Sequence, residues 1–235
     1  MAEPLVLLNY GFVAVVFALL LGAGVSQRAR VGLCWLAIPA LMACVATKLM
    51  HTYNTVDELT FYASYHSHPM NQLVHIICVP LLLFTVFIFA AYVPTPIKVV
   101  PQLTWPLLGA GAWSLHHVRA APLVGSLVSC LTFAMALAAT AIVERERRAS
   151  KHAGRAARCA GLVHVFCWYA QLHPGHGVYE GRKPALLDSV LQAFLDAPLF
   201  VWYEVAFACG YDPSLKAQLD AAVAARHAAW SRSEL

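Results

Sequence analysis

Phe61-Tyr-Ala-Ser-Tyr-His66-Ser-His68-Pro-Met-Asn71-Gln-Leu-Val-His75 runs straight into Ile76-Ile-Cys-Val-Pro-Leu-Leu-Leu-Phe-Thr-Val-Phe-Ile-Phe-Ala-Ala-Tyr-Val93. The first part gathers three imidazoles and a carboxamide among aromatic residues. The second is an uncharged apolar run of a length that suits a helix crossing a bilayer. Histidines beside such a segment are costly to bury and usually have a role. This junction therefore points to an all-α membrane bundle with a polar site at one membrane face.

Composition agrees. The chain has 235 residues, of which 60% are hydrophobic and only 12% charged, with a mean hydropathy of +0.64. A soluble domain is nearer one quarter charged. The net charge of +4 is small and dispersed, so nucleic acid is not an expected partner. Cys34, Cys44, Cys78, Cys130, Cys159, Cys167 and Cys209 are scattered singly, mostly inside apolar runs. With no CxxC pair they read as small buried hydrophobes rather than as a zinc site or a disulfide framework.

Outward from the junction, the chain divides into apolar runs. Residues 5–25 suit a retained spanning helix, because the basic residues of Ser26-Gln-Arg-Ala-Arg30 follow the run instead of preceding it. A second run covers 31–50, with a kink expected at Pro39. Beyond 76–93, the prolines Pro94, Pro96 and Pro101 mark a loop. Runs 103–118 and 123–143 are separated by Arg119 and Pro122 and form a hairpin. The stretch from Glu144 to Arg158 is the most basic in the chain, and 159–172 is a short aromatic-rich run. Ala185 to Gly210 reads as a helix interrupted near Pro198, with Asp188, Asp196 and Glu204 setting it apart from a lipid-facing span. Residues 212–235 suggest a surface helix with Leu215, Leu219 and Val223 on one face. About six to seven apolar helices are expected. Residues 1–57 would form an N-terminal extension with two of them, 58–215 the main membrane domain, and 216–235 a polar tail or surface helix.

A second polar knot, His173-Pro-Gly-His176-Gly-Val-Tyr-Glu180-Gly-Arg182-Lys183-Pro184, follows the 159–172 run. Four apolar runs separate the two knots. If all four cross, both knots emerge on one side, and the knots lie opposite the basic loops 26–30 and 144–158, which belong in the cytosol by their charge.

Neutral imidazole is a common ligand for Fe, Zn and Cu. His66, His75, His173 and His176 are the candidate metal ligands. A Pro-Gly turn between the last two would aim both rings to one side. His68 is set aside, because an extended backbone turns it away from His66. His116-His117 reads as an interfacial anchor, and His51, His152, His164 and His227 as structural or solvated. Asn71 and Glu180 are candidates to orient the ligand rings by accepting their second N–H. Tyr62, Tyr65 and Tyr179 can donate hydrogen bonds to a bound oxygen species. Arg182 and Lys183 are candidates to hold a substrate carboxylate. A histidine-rich site without thiolates favours redox iron over structural zinc. With apolar walls, these residues point to a membrane metalloenzyme acting on a lipid with O2.

The pattern Phe61-Tyr-x-x-Tyr-His66-x-x-Pro-x-Asn71-x-x-x-His75, followed by Ile-Ile-Cys-Val-Pro80, resembles the opening motif of the yeast-type 2-hydroxy fatty acid dioxygenase family. Gly175-His176-Gly-Val-Tyr-Glu180-x-Arg-Lys-Pro-Ala-Leu-Leu-Asp188 resembles its second motif, and the likeness spans roughly 58–215. The resemblance implies an integral membrane enzyme of the endoplasmic reticulum. It implies that Fe2+ and O2 are used to shorten 2-hydroxy fatty acids by one carbon, in the α-oxidation linked to sphingoid base breakdown. The family's histidines carry over to His66, His75 and His176; His173 belongs to only part of the family. Residues 1–57 have no counterpart in compact members. Two other readings stand beside this one: a two-metal lipid hydroxylase or desaturase, which needs more histidines in HxxxH and HxxHH clusters, and a non-enzymatic lipid-binding membrane protein.

Overall fold

The computed structural model describes residues 54–94, 103–149, 154–185 and 190–233. The apolar helices expected over 5–25 and 31–50, nearly all of the expected 1–57 extension, and Cys34, Cys44, His51, His152 and Asp188 lie outside the described residues.

The described chain is all-helical. Its helices are α1 (Thr55–Ala63), α2 (Pro69–Ala91), α3 (Trp105–Ala120), α4 (Pro122–Ala149), α5 (Arg155–Ala170), a π-helical segment (Gln171–Glu180), α6 (Val190–Ala208) and α7 (Pro213–Ser233). Local chemistry sets several of these ends. Asn54 accepts from the Val56 and Asp57 amides and caps α1. His68 caps α2 through its ring, which accepts from the Met70 amide, and Pro69 occupies the first helical position. The first knot is thus not a loop ahead of the helix. Its second half, Asn71 to His75, is the helix's opening turns.

Helices α2 to α5 form an antiparallel up-and-down bundle. At one end Arg147 of α4 donates to the Ala91 and Tyr92 carbonyls at the close of α2. At that same end Glu146 accepts from the Ala156 amide at the start of α5 and from the Tyr92 hydroxyl. At the other end the Ala120 carbonyl, closing α3, accepts from Thr55 of α1. The α3–α4 turn is tight because Gly125 lets the two backbones touch; a Cβ there would sit 1.9 Å from the His117 carbonyl oxygen.

Two large apolar clusters fill most of the described interior, beside a small one of Cys78, Cys167 and Ala170. One joins Leu59 and Tyr62 of α1 to Val79, Val124, Val128, Leu199 and Phe200. The other stacks Leu83, Phe87, Trp113, Ala136, Ala139 and Leu195. The outside is apolar as well. Leu127 of α4 is 60% exposed, and Leu162 and Phe166 on one face of α5 are 76% and 64% exposed, uncovered by any of the described residues. Among the described residues two helices, α2 and α4, are long and apolar enough to cross a membrane, with mean hydropathies of 2.7 and 2.1 over their best windows.

Candidate metal centre

The two knots meet at the α1–α2 end of the bundle. Residues 64–68 link α1 to α2 and carry His66; His75 follows within α2; His176 comes from the π-helical segment that continues α5. The ligand atoms of these three rings all lie within 4.8 Å of one another, and all three side chains are buried. Ring centroids are 4.3 Å apart for His66–His75, 4.8 Å for His66–His176 and 5.1 Å for His75–His176.

Hydrogen bonding fixes which nitrogens are available. His66 Nδ1 lies 2.8 Å from the Tyr62 carbonyl oxygen, and His75 Nδ1 lies 2.9 Å from that of Asn71. A carbonyl only accepts, so both Nδ1 atoms carry the proton and both Nε2 atoms present a lone pair. His66 Nε2 and His176 Nδ1 are fully buried with no protein partner. Orphaned lone pairs on converging rings are what a bound cation would satisfy. Burial, and then the neighbouring His75 and His176 rings, hold the His66 imidazole well below the usual histidine range, so it stays neutral. The Tyr62 ring lies nearly parallel to His66, 4.1 Å between centroids, with Phe200 against both.

Glu180, Asn71 and Gln72 bind the histidine loop, and this differs from the expected role of the first two. The His66 and His75 rings donate to backbone carbonyls one turn back. Glu180 instead accepts from the Ser67 and His68 amides, at 2.9 and 3.0 Å, and from Asn71 Nδ2 at 3.0 Å. Asn71 Nδ2 also reaches the Tyr65 carbonyl, at 3.2 Å. Gln72, which the sequence did not single out, donates to the His66 carbonyl at 2.9 Å and to Glu204 at 3.2 Å. Gly175 makes the close approach possible: a Cβ on it would lie 2.6 Å from Asn71 Oδ1 and 3.6 Å from His75 Cε1.

The remaining candidates sit elsewhere. His173 is exposed and stacks on Tyr169, outside the three-histidine group. The expected Pro-Gly turn is replaced by continuous π-helix, whose register sends His173 and His176 to different sides. Tyr65 is buried with its ring against Phe61 and Trp230. Tyr179 stacks on His68. Arg182 lies over the Trp230 ring, and Lys183 is exposed. His116, expected as an interfacial anchor with His117, is buried and paired with Asp196 at 2.7 Å; His117 donates to the Leu195 carbonyl. The Nε2 atom of each ring finds its partner on α6, which offsets part of the cost of burial there.

A helical bundle with a buried trio of lone-pair-bearing imidazoles is, as a class, a candidate metalloprotein. The family model described as "2-hydroxy-palmitic acid dioxygenase Mpo1-like" matches residues 52–209. The chain is 30% identical over 164 residues to the 2-hydroxy-palmitic acid dioxygenase MPO1 of Saccharomyces cerevisiae (strain ATCC 204508 / S288c), covering 70% of this chain and 86% of that protein. No solved structure matches it. The chain belongs to the Mpo1-like family.

Proposed function

We propose that this protein is an Fe(II)-dependent membrane dioxygenase that shortens 2-hydroxy fatty acids by one carbon with O2. The observation that carries it is the trio His66, His75 and His176, with His66 Nε2 and His176 Nδ1 unpartnered, in a chain of the Mpo1-like family. These three residues would hold the iron; three neutral imidazoles and no thiolate suit a redox metal. Bound iron would supply O2 activation and a Lewis-acidic anchor for the 2-hydroxy acid. Arg182 and Lys183 would draw the substrate carboxylate to this end of the bundle. Tyr62 and Phe200 form an apolar wall beside His66 that keeps the trio dry. The acyl tail would lie among the apolar helices, and cleavage between C1 and C2 with one O2 would release an acid one carbon shorter, C1 leaving as CO2 and one water being formed.

A two-metal hydroxylase would need more imidazoles at the site. His116, His117 and His164 are engaged instead with Asp196, the Leu195 carbonyl, and Thr85 plus Trp168. Lipid binding without catalysis leaves the orphaned nitrogens unexplained.

We infer a multi-pass protein of the endoplasmic reticulum membrane, in which the other apolar helices of the expected six to seven accompany α2 and α4. The uncovered apolar side chains on α4 and α5 support this. The basic residues at the end of α4 bond to the far end of α2, which supports a site on the face opposite the cytosol. The organelle rests on the family resemblance. We retain residues 58–215 as the catalytic domain.

The test is anaerobic purification with metal analysis, followed by O2 consumption with 2-hydroxypalmitate. One iron per chain and iron-dependent turnover are expected. His66→Ala and His176→Ala should each lose both. Wild-type turnover in His176→Ala would sink the site, and two irons per chain would favour the two-metal reading.

A further inference from the structure

Residues 64–68 hold His66 between two helices, so their backbone groups decide where that ring sits. Five of these groups are taken by side chains. Three residues inside the family-matched region serve four of them: Asn71 takes the Tyr65 carbonyl, Gln72 the His66 carbonyl, and Glu180 the Ser67 and His68 amides. The fifth, the Ser64 carbonyl, accepts from His227 Nε2 at 2.9 Å.

His227 lies on α7, beyond the residues 52–209 that the family model matches. Helix α7 is docked along α1 by more than this bond. Leu219 is 2% exposed and belongs to the interior cluster of α1 and α6. Trp230 packs against Tyr65, ring centroids 5.2 Å apart, and His227 stacks on Trp230 at 5.4 Å. Arg226 lies 5.1 Å from the Phe61 ring. Arg182, just past Glu180 on the His176 side of the site, sits over the outer face of the arrangement at Trp230, 5.2 Å away. The Trp230 indole thus touches both halves of the metal centre: Tyr65 next to His66, and Arg182, whose amide donates to the His176 carbonyl at 3.2 Å.

We propose that His227 is a positioning residue of the metal centre, and that α7 clamps the His66 loop in the register the trio needs. The proposal rests on the trio being a metal site. The Ser64 carbonyl lies where the chain leaves α1; the Tyr62 and Ala63 carbonyls just before it accept from the Tyr65 and His66 amides, and that of Ser64 is left to His227. A donor there fixes the exit direction of the loop two residues before the ligand. Removing an outer partner of this kind typically costs ten- to a hundredfold in metal affinity.

The experiment uses the full-length chain in lipid nanodiscs. Co2+ is titrated by its visible absorption, and amide exchange of residues 64–68 is followed in the metal-free protein. His227→Leu keeps bulk against Trp230 and removes the donor; His227→Gln keeps an N–H that can reach. The leucine variant should bind Co2+ about tenfold more weakly, with a changed spectrum and faster exchange at Ser67 and His68. The glutamine variant should return all three readouts toward wild type. Should the leucine variant not fold, His227→Asn, whose amide is too short to reach, takes its place. Wild-type affinity, spectrum and exchange in the donor-less variant overturn the clamp and leave the metal centre standing. Equal losses in the leucine and glutamine variants also overturn it, since the bond would then not matter. Wild-type protein that takes up no Co2+ overturns the metal centre and the clamp together.

Discussion

At the residue scale, the chemistry turns on which imidazole nitrogen carries the proton. His66 and His75 each spend Nδ1 on a carbonyl of their own preceding turn, which leaves Nε2 facing the cluster. His164 shows the contrasting case. It accepts from Trp168 Nε1 one turn on in α5 at 2.9 Å and donates to the Thr85 hydroxyl of α2, so both nitrogens are used and one of the two bonds joins α5 to α2. That satisfied ring fits the structural role expected for it. The depressed His66 ring gives a pH prediction. An unfolded histidine takes a proton near 6.5, whereas folded His66 does so only well below that value. Its contribution to the stability of the metal-free chain is therefore complete above pH 6.5 and is lost as pH falls beneath it. Thermal melting of the metal-free protein at about pH 7.5 and about pH 5.5 should show this loss, and His66→Phe should shrink the difference. An undiminished difference in that variant would assign the effect elsewhere. His66, His75 and His176 were legible in the sequence because ligand-type residues stand out beside apolar runs. Gln72 and His227 were not, because each acts on a backbone carbonyl, and nothing in a sequence marks which carbonyl will lack a partner.

At the element scale, the π-helical segment decides where the third histidine of the trio points. In an α-helix three residues turn about 300°, so His173 and His176 would point the same way. The wider i→i+5 helix turns less per residue, and the two rings part. Gln171, Gly175 and His176 form the buried stripe instead, with Glu180 at its end. This is why spacing alone suggested a pair and the fold separates it. Gly175→Ala should push the segment off α2 by crowding Asn71 Oδ1. A stability loss of about 1–3 kcal/mol is expected, together with weaker metal binding, measured by thermal unfolding and Co2+ titration. Unchanged metal binding would show that the close approach is not needed. Glu180→Gln keeps an acceptor for one amide and loses the charge that serves two. Metal affinity should fall by roughly tenfold with the fold intact by circular dichroism, and an unaffected affinity would remove Glu180 from the site's support.

At the scale of the whole molecule, the all-helical character of the described residues was readable from the length and spacing of the apolar runs. Helix ends were less so. Helix α4 runs on through Glu144 to Arg148, because Glu146 and Arg147 are used as caps for α5 and α2 rather than as loop charges. The uncovered apolar surface makes the environment testable. Leu162→Arg, on the outer face of α5, should lower stability in nanodiscs by roughly 3 kcal/mol, whereas an aqueous surface position would show almost no effect. Chemical denaturation of the variant against wild type checks this.

The metal centre also carries a timetable. His66 and His75 are made early and lie on adjoining elements, whereas His176 is synthesised only after α3, α4 and α5 have been made. The ion therefore cannot be held by all three rings until the bundle has been threaded and turned back on itself. On the proposed metal role, loading would be a late check on correct assembly, and a chain with one helix inverted would be left without its metal. Chains halted on the ribosome at residue 170 should hold no Co2+ at this site, and those released with a complete π-helical segment should, which metal analysis of arrested complexes can measure.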